Sequence, residues 1–233
     1  MTLLATQGLS KDFGGLHAVH NVDFQLEPGE IRALIGPNGA GKTTFVGLLC
    51  GRMQPTAGTV WFKGRDISRL SAHARIRLGI AYTFQITSVF ARLTAQENVA
   101  LAVRRLGGDE TIEVAAALDR VGILEHQSEI AGDLSYGHQR LLEIAMGLAQ
   151  KPSLLILDEP TQGLADGEID TFCDLVQGLA PETTVLLIEH NMNVVRRTAQ
   201  RISVLNFGEL LAEGTQEEIH ANADVQAAYL GTG

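Results

Sequence analysis

Cysteine is almost missing from this chain. Only Cys50 and Cys173 occur in 233 residues, far apart and within stretches of helical spacing, so a disulfide framework has no basis and a reducing compartment fits. Long apolar runs are also missing: no stretch approaches the roughly 18 residues that a spanning helix needs. Residues 1–13 lack the basic, apolar and small-residue sections of a signal peptide. If the protein works at a membrane, other chains must supply the span. There is no excess of positive charge. Eighteen lysines and arginines stand against 27 acidic residues, and the net charge of -9 repels a phosphate backbone, so no nucleic-acid partner is expected without a local basic patch. The nearest candidates, Arg75/Arg77 and Arg104/Arg105, are only pairs and read as solvated helix faces. No internal repeat and no linker is visible. With 45% hydrophobic and 19% charged residues the chain is not of the disordered type. What remains is one α/β domain, or one domain with a smaller subdomain, long enough to bury most of its unfolded surface.

Apolar residues alternate through Val19, Val22, Phe24 and Leu26 before the turn Pro28-Gly29-Glu30, the pattern of an antiparallel strand set. The run Ile31-Arg32-Ala33-Leu34-Ile35 is nearly all apolar, as in a strand buried on both faces. Helical spacing begins at Gly41 through Phe45, Leu48 and Leu49, with Gly51 as a stop. Residues 57–84 return to strand-like patches at Val60-Trp61-Phe62 and Ile80-Ala81-Tyr82, and residues 94–150 are mostly helical in pattern. Two further buried-strand runs, Leu154-Leu155-Ile156-Leu157 and Val185-Leu186-Leu187-Ile188, flank a helical stretch. This βαβ order implies a parallel sheet covered by helices. A late hairpin is expected over residues 202–212, followed by a polar helix.

Gly36-Pro37-Asn38-Gly39-Ala40-Gly41-Lys42-Thr43 matches the phosphate-loop pattern Gly-x-x-x-x-Gly-Lys-Ser/Thr and lies between a buried strand and a helix. Glycines let backbone N–H groups converge on phosphate oxygens, and the helix N-terminus adds its positive dipole end. Lys42 is expected to reach the β- and γ-phosphates and the Thr43 hydroxyl to ligate Mg²⁺, with Thr44 continuing the loop into the helix. Asp158 and Glu159 follow a buried strand, at the sheet edge where α/β proteins bind ligands. Asp158 is placed to hold Mg²⁺, directly or through water, and Glu159 to polarise the attacking water as general base.

Phosphate loops serve kinases, GTPases and recombination ATPases alike, so these two elements leave the function open. The segment Leu134-Ser135-Tyr136-Gly137-His138-Gln139, 24 residues before Asp158, resembles the signature of ABC transporter ATPases. The resemblance implies a P-loop core, a mixed or parallel sheet flanked by helices, with an N-terminal antiparallel β-subdomain and an inserted helical subdomain. The implied division is a single domain 1–233, with 1–85 and 151–233 as catalytic core and 86–150 as helical signature subdomain. It also implies that Ser135 and Gly137 act on nucleotide held by a second ATPase subunit, identical or homologous, so that two ATP are sandwiched head to tail. Phe13 matches the aromatic that stacks on adenine, Gln85 the glutamine that touches Mg²⁺ or water and couples to the membrane subunit, and His190 the switch histidine on the γ-phosphate. Taken alone, Phe13 reads as a core residue and His190 as a satisfied polar one.

Tyr136 and His138 depart from the usual signature, and Ala165 stands where many relatives carry an aspartate; Asp166 is one place late. The segments 84–94, 141–145, 188–192 and 228–231 resemble the hydrophobic amino acid uptake branch, in which two ATPases drive two permeases fed by a periplasmic binding protein. A peripheral place on the cytoplasmic face of the inner membrane follows from the resemblance. Val89 and Phe90 have two open readings, as apolar residues that receive a permease helix or as packing inside the helical subdomain. No regulatory domain and no second phosphate loop is expected. The alternatives are a lipid or lipoprotein export ATPase, a soluble ABC switch, or a small-molecule P-loop kinase active as a monomer.

Overall fold

The computed structural model describes residues 2–83, 88–104 and 109–230. Two sheets are stacked through one core. The first is antiparallel, in the order β2-β1-β4-β5, built from β1 (Leu4–Phe13), β2 (Leu16–Leu26), β4 (Ala57–Phe62) and β5 (Arg65–Asp66). The second runs β10-β9-β3-β8-β7-β6. In it β9 (Arg201–Asn206), β3 (Ile31–Ile35), β8 (Thr184–Ile188), β7 (Leu154–Asp158) and β6 (Ile80–Thr83) are parallel, and β10 (Glu209–Gly214) closes one edge as the antiparallel arm of a hairpin.

The apolar strands are continuous because both of their faces are covered. Side chains alternate across a strand, so Leu154 and Ile156 of β7 enter the core shared with the antiparallel sheet, while Leu155 and Leu157 enter the core under the helices. Leu186 and Ile188 of β8 join the first core, and Val185 and Leu187 the second. The strand ends that carry chemistry are thereby held in a layer from which water is excluded.

Helix α1 (Lys42–Leu49) leaves β3, and α2 (Ala72–Leu78), which carries Arg75 and Arg77, stands between β5 and β6. Its Ser71 cap accepts the Ala74 N–H, an N-terminal stop that seven residues of helical spacing are too few to advertise. Helices α3 (Ala95–Val103), α4 (Glu110–Arg120) and α5 (Tyr136–Leu148) form the helical stretch, α6 (Asp166–Leu179) and α7 (Met192–Thr198) bracket β8, and α8 (Gln216–Ala221) and α9 (Ala223–Leu230) follow the hairpin. Leu142, Ile144 and Ala145 of α5 share one core with Leu155, Leu157 and Phe172. Val89 packs on that same core, whereas Phe90 is exposed.

One expectation is overturned. Arg75 is not on a solvated face: it is fully buried and donates to the carbonyls of Leu48, Leu49, Ser68 and Leu70. It thereby satisfies the last carbonyls of α1, the negative end of that helix. Burial pulls its guanidinium down to about 10. Arg77 is exposed as expected, and Arg105 lies outside the described residues. Cys50 and Cys173 are both buried and free.

Candidate functional site

The loop between β3 and α1 folds tightly around its own lysine. Gly36 and Gly41 adopt φ 155° and 97°, and a Cβ there would run into the carbonyls of Leu205 and Ala18 respectively. Only glycine fits both positions. Lys42 Nζ donates to the carbonyls of Gly36 at 2.7 Å and Pro37 at 3.1 Å, so the ammonium sits inside the curl of the loop. Its burial pushes the Lys42 pKa down, opposed by the charges of Glu159 and Asp158. The loop is braced from outside by Gly208, whose N–H donates to the Ala40 carbonyl at 2.9 Å.

A cleft of about 700 Å³ opens over this loop. Residues 38–44 line one side and Asp158 and Glu159 another, with residues 15–18, Ile188 and Phe207 completing it. The structure therefore gathers Asn38, Gly39, Ala40, Gly41, Lys42, Thr43, Thr44, Asp158 and Glu159 around one space, with Gly36 and Pro37 bound to the lysine. Glu159 has φ 47°, a left-handed conformation costly for a residue with a Cβ, and its N–H donates to the Ile188 carbonyl at 2.9 Å.

Asp158 is only 4% exposed. Its Oδ2 accepts from the Tyr82 hydroxyl at 2.8 Å. Burial raises its pKa, which the Tyr82 hydrogen bond counters and the neighbouring Glu159 reinforces. A buried carboxylate beside an exposed threonine hydroxyl, Thr43, is a pair of hard oxygen donors, and it suits a small divalent cation such as Mg²⁺.

Phe13, Ser135, Gly137 and His190 do not line this cleft. Phe13 ends β1, is 47% exposed, and has Lys11 Nζ 5.1 Å from its ring centroid. The exposed large apolar side chains on the cleft wall are instead Leu16 and Phe207. Ser135 caps α5, accepting the His138 N–H at 3.1 Å, which leaves its hydroxyl hydrogen to donate. The helix starts at Tyr136, directly after its Ser135 cap. Gly137 is buried where a Cβ would strike Glu168. The His190 side chain is exposed. Gln85 lies outside the described residues.

Three residues around the cleft carry no motif of their own. Tyr82 holds Asp158, as above. Arg140 of α5 is buried, donates to the carbonyls of Asp158, Glu159 and Pro160, and pairs with Glu143 at 2.7 Å. Glu189 receives Thr161 and the backbone after β8. The partners that tie them to the end of β7 and the turn after it lie 18 to 76 residues away in sequence, so spacing gives no signal for them.

The comparisons with known proteins agree with this geometry. The family model described as ABC transporter matches residues 19–162, and so includes the phosphate loop, the Ser135 segment and Asp158-Glu159. The high-affinity branched-chain amino acid transport ATP-binding protein LivG of Escherichia coli (strain K12) is 41% identical over 249 residues, covering 98% of each chain. Among solved structures, a nucleotide-free ATP-binding cassette from an ABC transporter superposes with a TM-score of 0.89 at 27% identity, covering 98% of this chain and 99% of its own. An ADP-bound cassette of an ABC transporter gives 0.88 at 28% identity and covers 99% of both. A glycine-curled lysine, a strand ending in two carboxylates, and a near full-length match to such cassettes converge on one conclusion: the chain belongs to the ABC transporter family, as an ATP-binding subunit.

Proposed function

We propose that this protein binds and hydrolyses ATP as the ATPase subunit of an importer for branched-chain or other hydrophobic amino acids, or a related small solute. One observation carries the reading: the phosphate loop and the Asp158-Glu159 pair face each other across a single cleft, in a chain 41% identical to a branched-chain amino acid transport ATP-binding protein.

In this reading the loop N–H groups of residues 38–43 cradle the phosphates, and Lys42 exchanges its Gly36 and Pro37 carbonyls for β- and γ-phosphate oxygens. Thr43 and Asp158 hold Mg²⁺, which when bound neutralises charge on those oxygens. Glu159 accepts a proton from the attacking water. Phe13 stacks on the base, His190 contacts the γ-phosphate, and Gln85 links the metal side of the site to the permease. Ser135 and Gly137 complete the cleft of a second copy or a homologue, since they lie away from the cleft of their own chain. The helical stretch 86–150 is then a subdomain able to carry the signature segment toward that second site, with 1–85 and 151–233 as the core.

No helix among the described residues is long and apolar enough to cross a membrane. On the likeness to transport ATP-binding proteins we place the chain at the cytoplasmic face of the inner membrane, docked on separate permeases that receive solute from a binding protein. The test is a pull-down of the tagged chain from detergent-solubilised native membranes. Two polytopic permeases and a second ATPase are expected. Recovery of soluble partners alone would overturn the transport reading in favour of a cytosolic switch.

A further inference from the structure

We propose that Glu189 is a positioning residue that fixes His190 and ties it to the turn carrying Glu159. The inference rests on the proposed role of His190 at the γ-phosphate. The Glu189 residue is 1% exposed. Its Oε2 accepts the backbone N–H groups of His190 at 2.8 Å and Asn191 at 2.9 Å. Its Oε1 accepts the Thr161 N–H at 3.2 Å and the Thr161 hydroxyl. Thr161 lies two residues beyond Glu159. The segments leaving β7 and β8 are thus joined twice, once through the Glu159 N–H on the Ile188 carbonyl and once through this carboxylate.

The chemistry of the four partners explains the residue type. Three are N–H donors and the fourth is a hydroxyl, so the site calls for a group that only accepts. Among the described residues no lysine or arginine pairs with Glu189; the His190 ring, with Nδ1 4.0 Å from Oε2, is the basic group beside it. Burying a carboxylate without a firm counter-charge is expensive, and an apolar side chain would stabilise the fold at less cost. The group is therefore better explained by position than by stability. What it positions is His190, whose side chain is 63% exposed and so takes its aim from the backbone that Glu189 holds. Glutamine cannot reproduce the arrangement. Its NH₂ turned to Thr161 leaves the Thr161 N–H unmet, and turned the other way it confronts two N–H groups.

The experiment compares turnover, ATP affinity and melting temperature for Glu189→Ala, Glu189→Gln, His190→Ala and the double variant Glu189→Ala/His190→Ala. His190→Ala should lose about a hundred-fold in turnover, as expected for removal of a transition-state contact. Glu189→Ala should lose about ten-fold, with the ATP dissociation constant changed by no more than about two-fold, and Glu189→Gln should fall between it and the parent. The double variant should match His190→Ala, because a residue acting through His190 has nothing left to act on. If Glu189→Ala does not fold, Thr161→Val removes the hydroxyl at the other end and should show the smaller loss with unchanged ATP affinity. Full turnover in Glu189→Ala beside an inactive His190→Ala would overturn the inference and leave the role of His190 intact. A double variant worse than His190→Ala by the whole Glu189 factor would overturn it too. Full turnover in His190→Ala would remove the role on which it rests.

Discussion

The hydroxyl of Tyr82 donates to Asp158 Oδ2 at 2.8 Å, and Arg52 Nη1 donates to that same hydroxyl at 3.2 Å with its guanidinium 5.4 Å from the Tyr82 ring centroid. Burial and the Asp158 charge push the Tyr82 pKa far up, so the tyrosine stays a neutral donor at any physiological pH. The chain from Arg52 to Asp158 runs from the end of α1 across β6 to β7. It fixes one carboxylate oxygen and leaves the other to face the cleft.

Tyr82→Phe should therefore weaken the Mg²⁺ dependence of nucleotide binding while leaving metal-free ATP binding unchanged. The loss of one hydrogen bond to a charged group predicts about a ten-fold rise in the Mg²⁺ concentration for half-saturation. Calorimetric titration of Mg²⁺ into the ATP-loaded protein checks this, and an unchanged value would remove Tyr82 from the support of Asp158.

Asp158→Asn separates stability from function. Burial holds the Asp158 pKa above its ordinary 3.8, so ionisation works against the ligand-free fold. The favourable contribution is complete below pH 3.8 and is lost as pH rises through the elevated folded value. At pH 7 the ligand-free protein carries that cost, and asparagine removes it. Calorimetry without nucleotide should show the variant melting higher by about 2–4 °C at pH 7, a gain on the order of 1 kcal/mol that shrinks as pH falls toward 4. Hydrolysis should be abolished. A lower melting point at pH 7 would contradict burial as the dominant influence.

Arg140→Met removes the arginine paired with buried Glu143 and a donor from each of the Asp158, Glu159 and Pro160 carbonyls. Denaturant unfolding should show a loss of about 3 kcal/mol. Adding Glu143→Leu should recover part of it, since the buried charge that lost its arginine is then gone. No recovery in the double variant would place the cost in the Asp158, Glu159 and Pro160 carbonyls instead.

The turn between β9 and β10 places Phe207 and Gly208 both at positive φ, 46° and 82°, a geometry that favours asparagine before glycine. Phe207 is 81% exposed, so its ring gains little from burial. Phe207→Asn should raise the stability by about 1 kcal/mol, read as a higher denaturant midpoint at constant slope. A fall in the midpoint would mean that the ring has packing partners worth more than the backbone strain.

These residues also mark how far the sequence could be read. The phosphate loop was legible because its glycines answer to local backbone geometry, and Asp158 because it ends a strand apolar on both faces. The two cores follow from the same alternation. Arg75 was misread because its burial depends on the carbonyls of Leu48 and Leu49, more than 25 residues upstream and not on its own helix. Glu189 and Thr161, 28 residues apart, and Tyr82 and Asp158, 76 apart, meet only after the parallel sheet has brought successive strand ends together.

The most direct test of the account is ATP-dependent association of Glu159→Gln, followed by analytical ultracentrifugation alongside equilibrium ATP binding and turnover. The variant should bind ATP with the affinity of the parent, lose turnover, and sediment as a dimer only when ATP is present, with Ser135→Arg in the same background remaining monomeric. Full turnover in Glu159→Gln, or an ATP-loaded variant that stays monomeric while the parent hydrolyses ATP, would contradict a cleft completed by a second subunit.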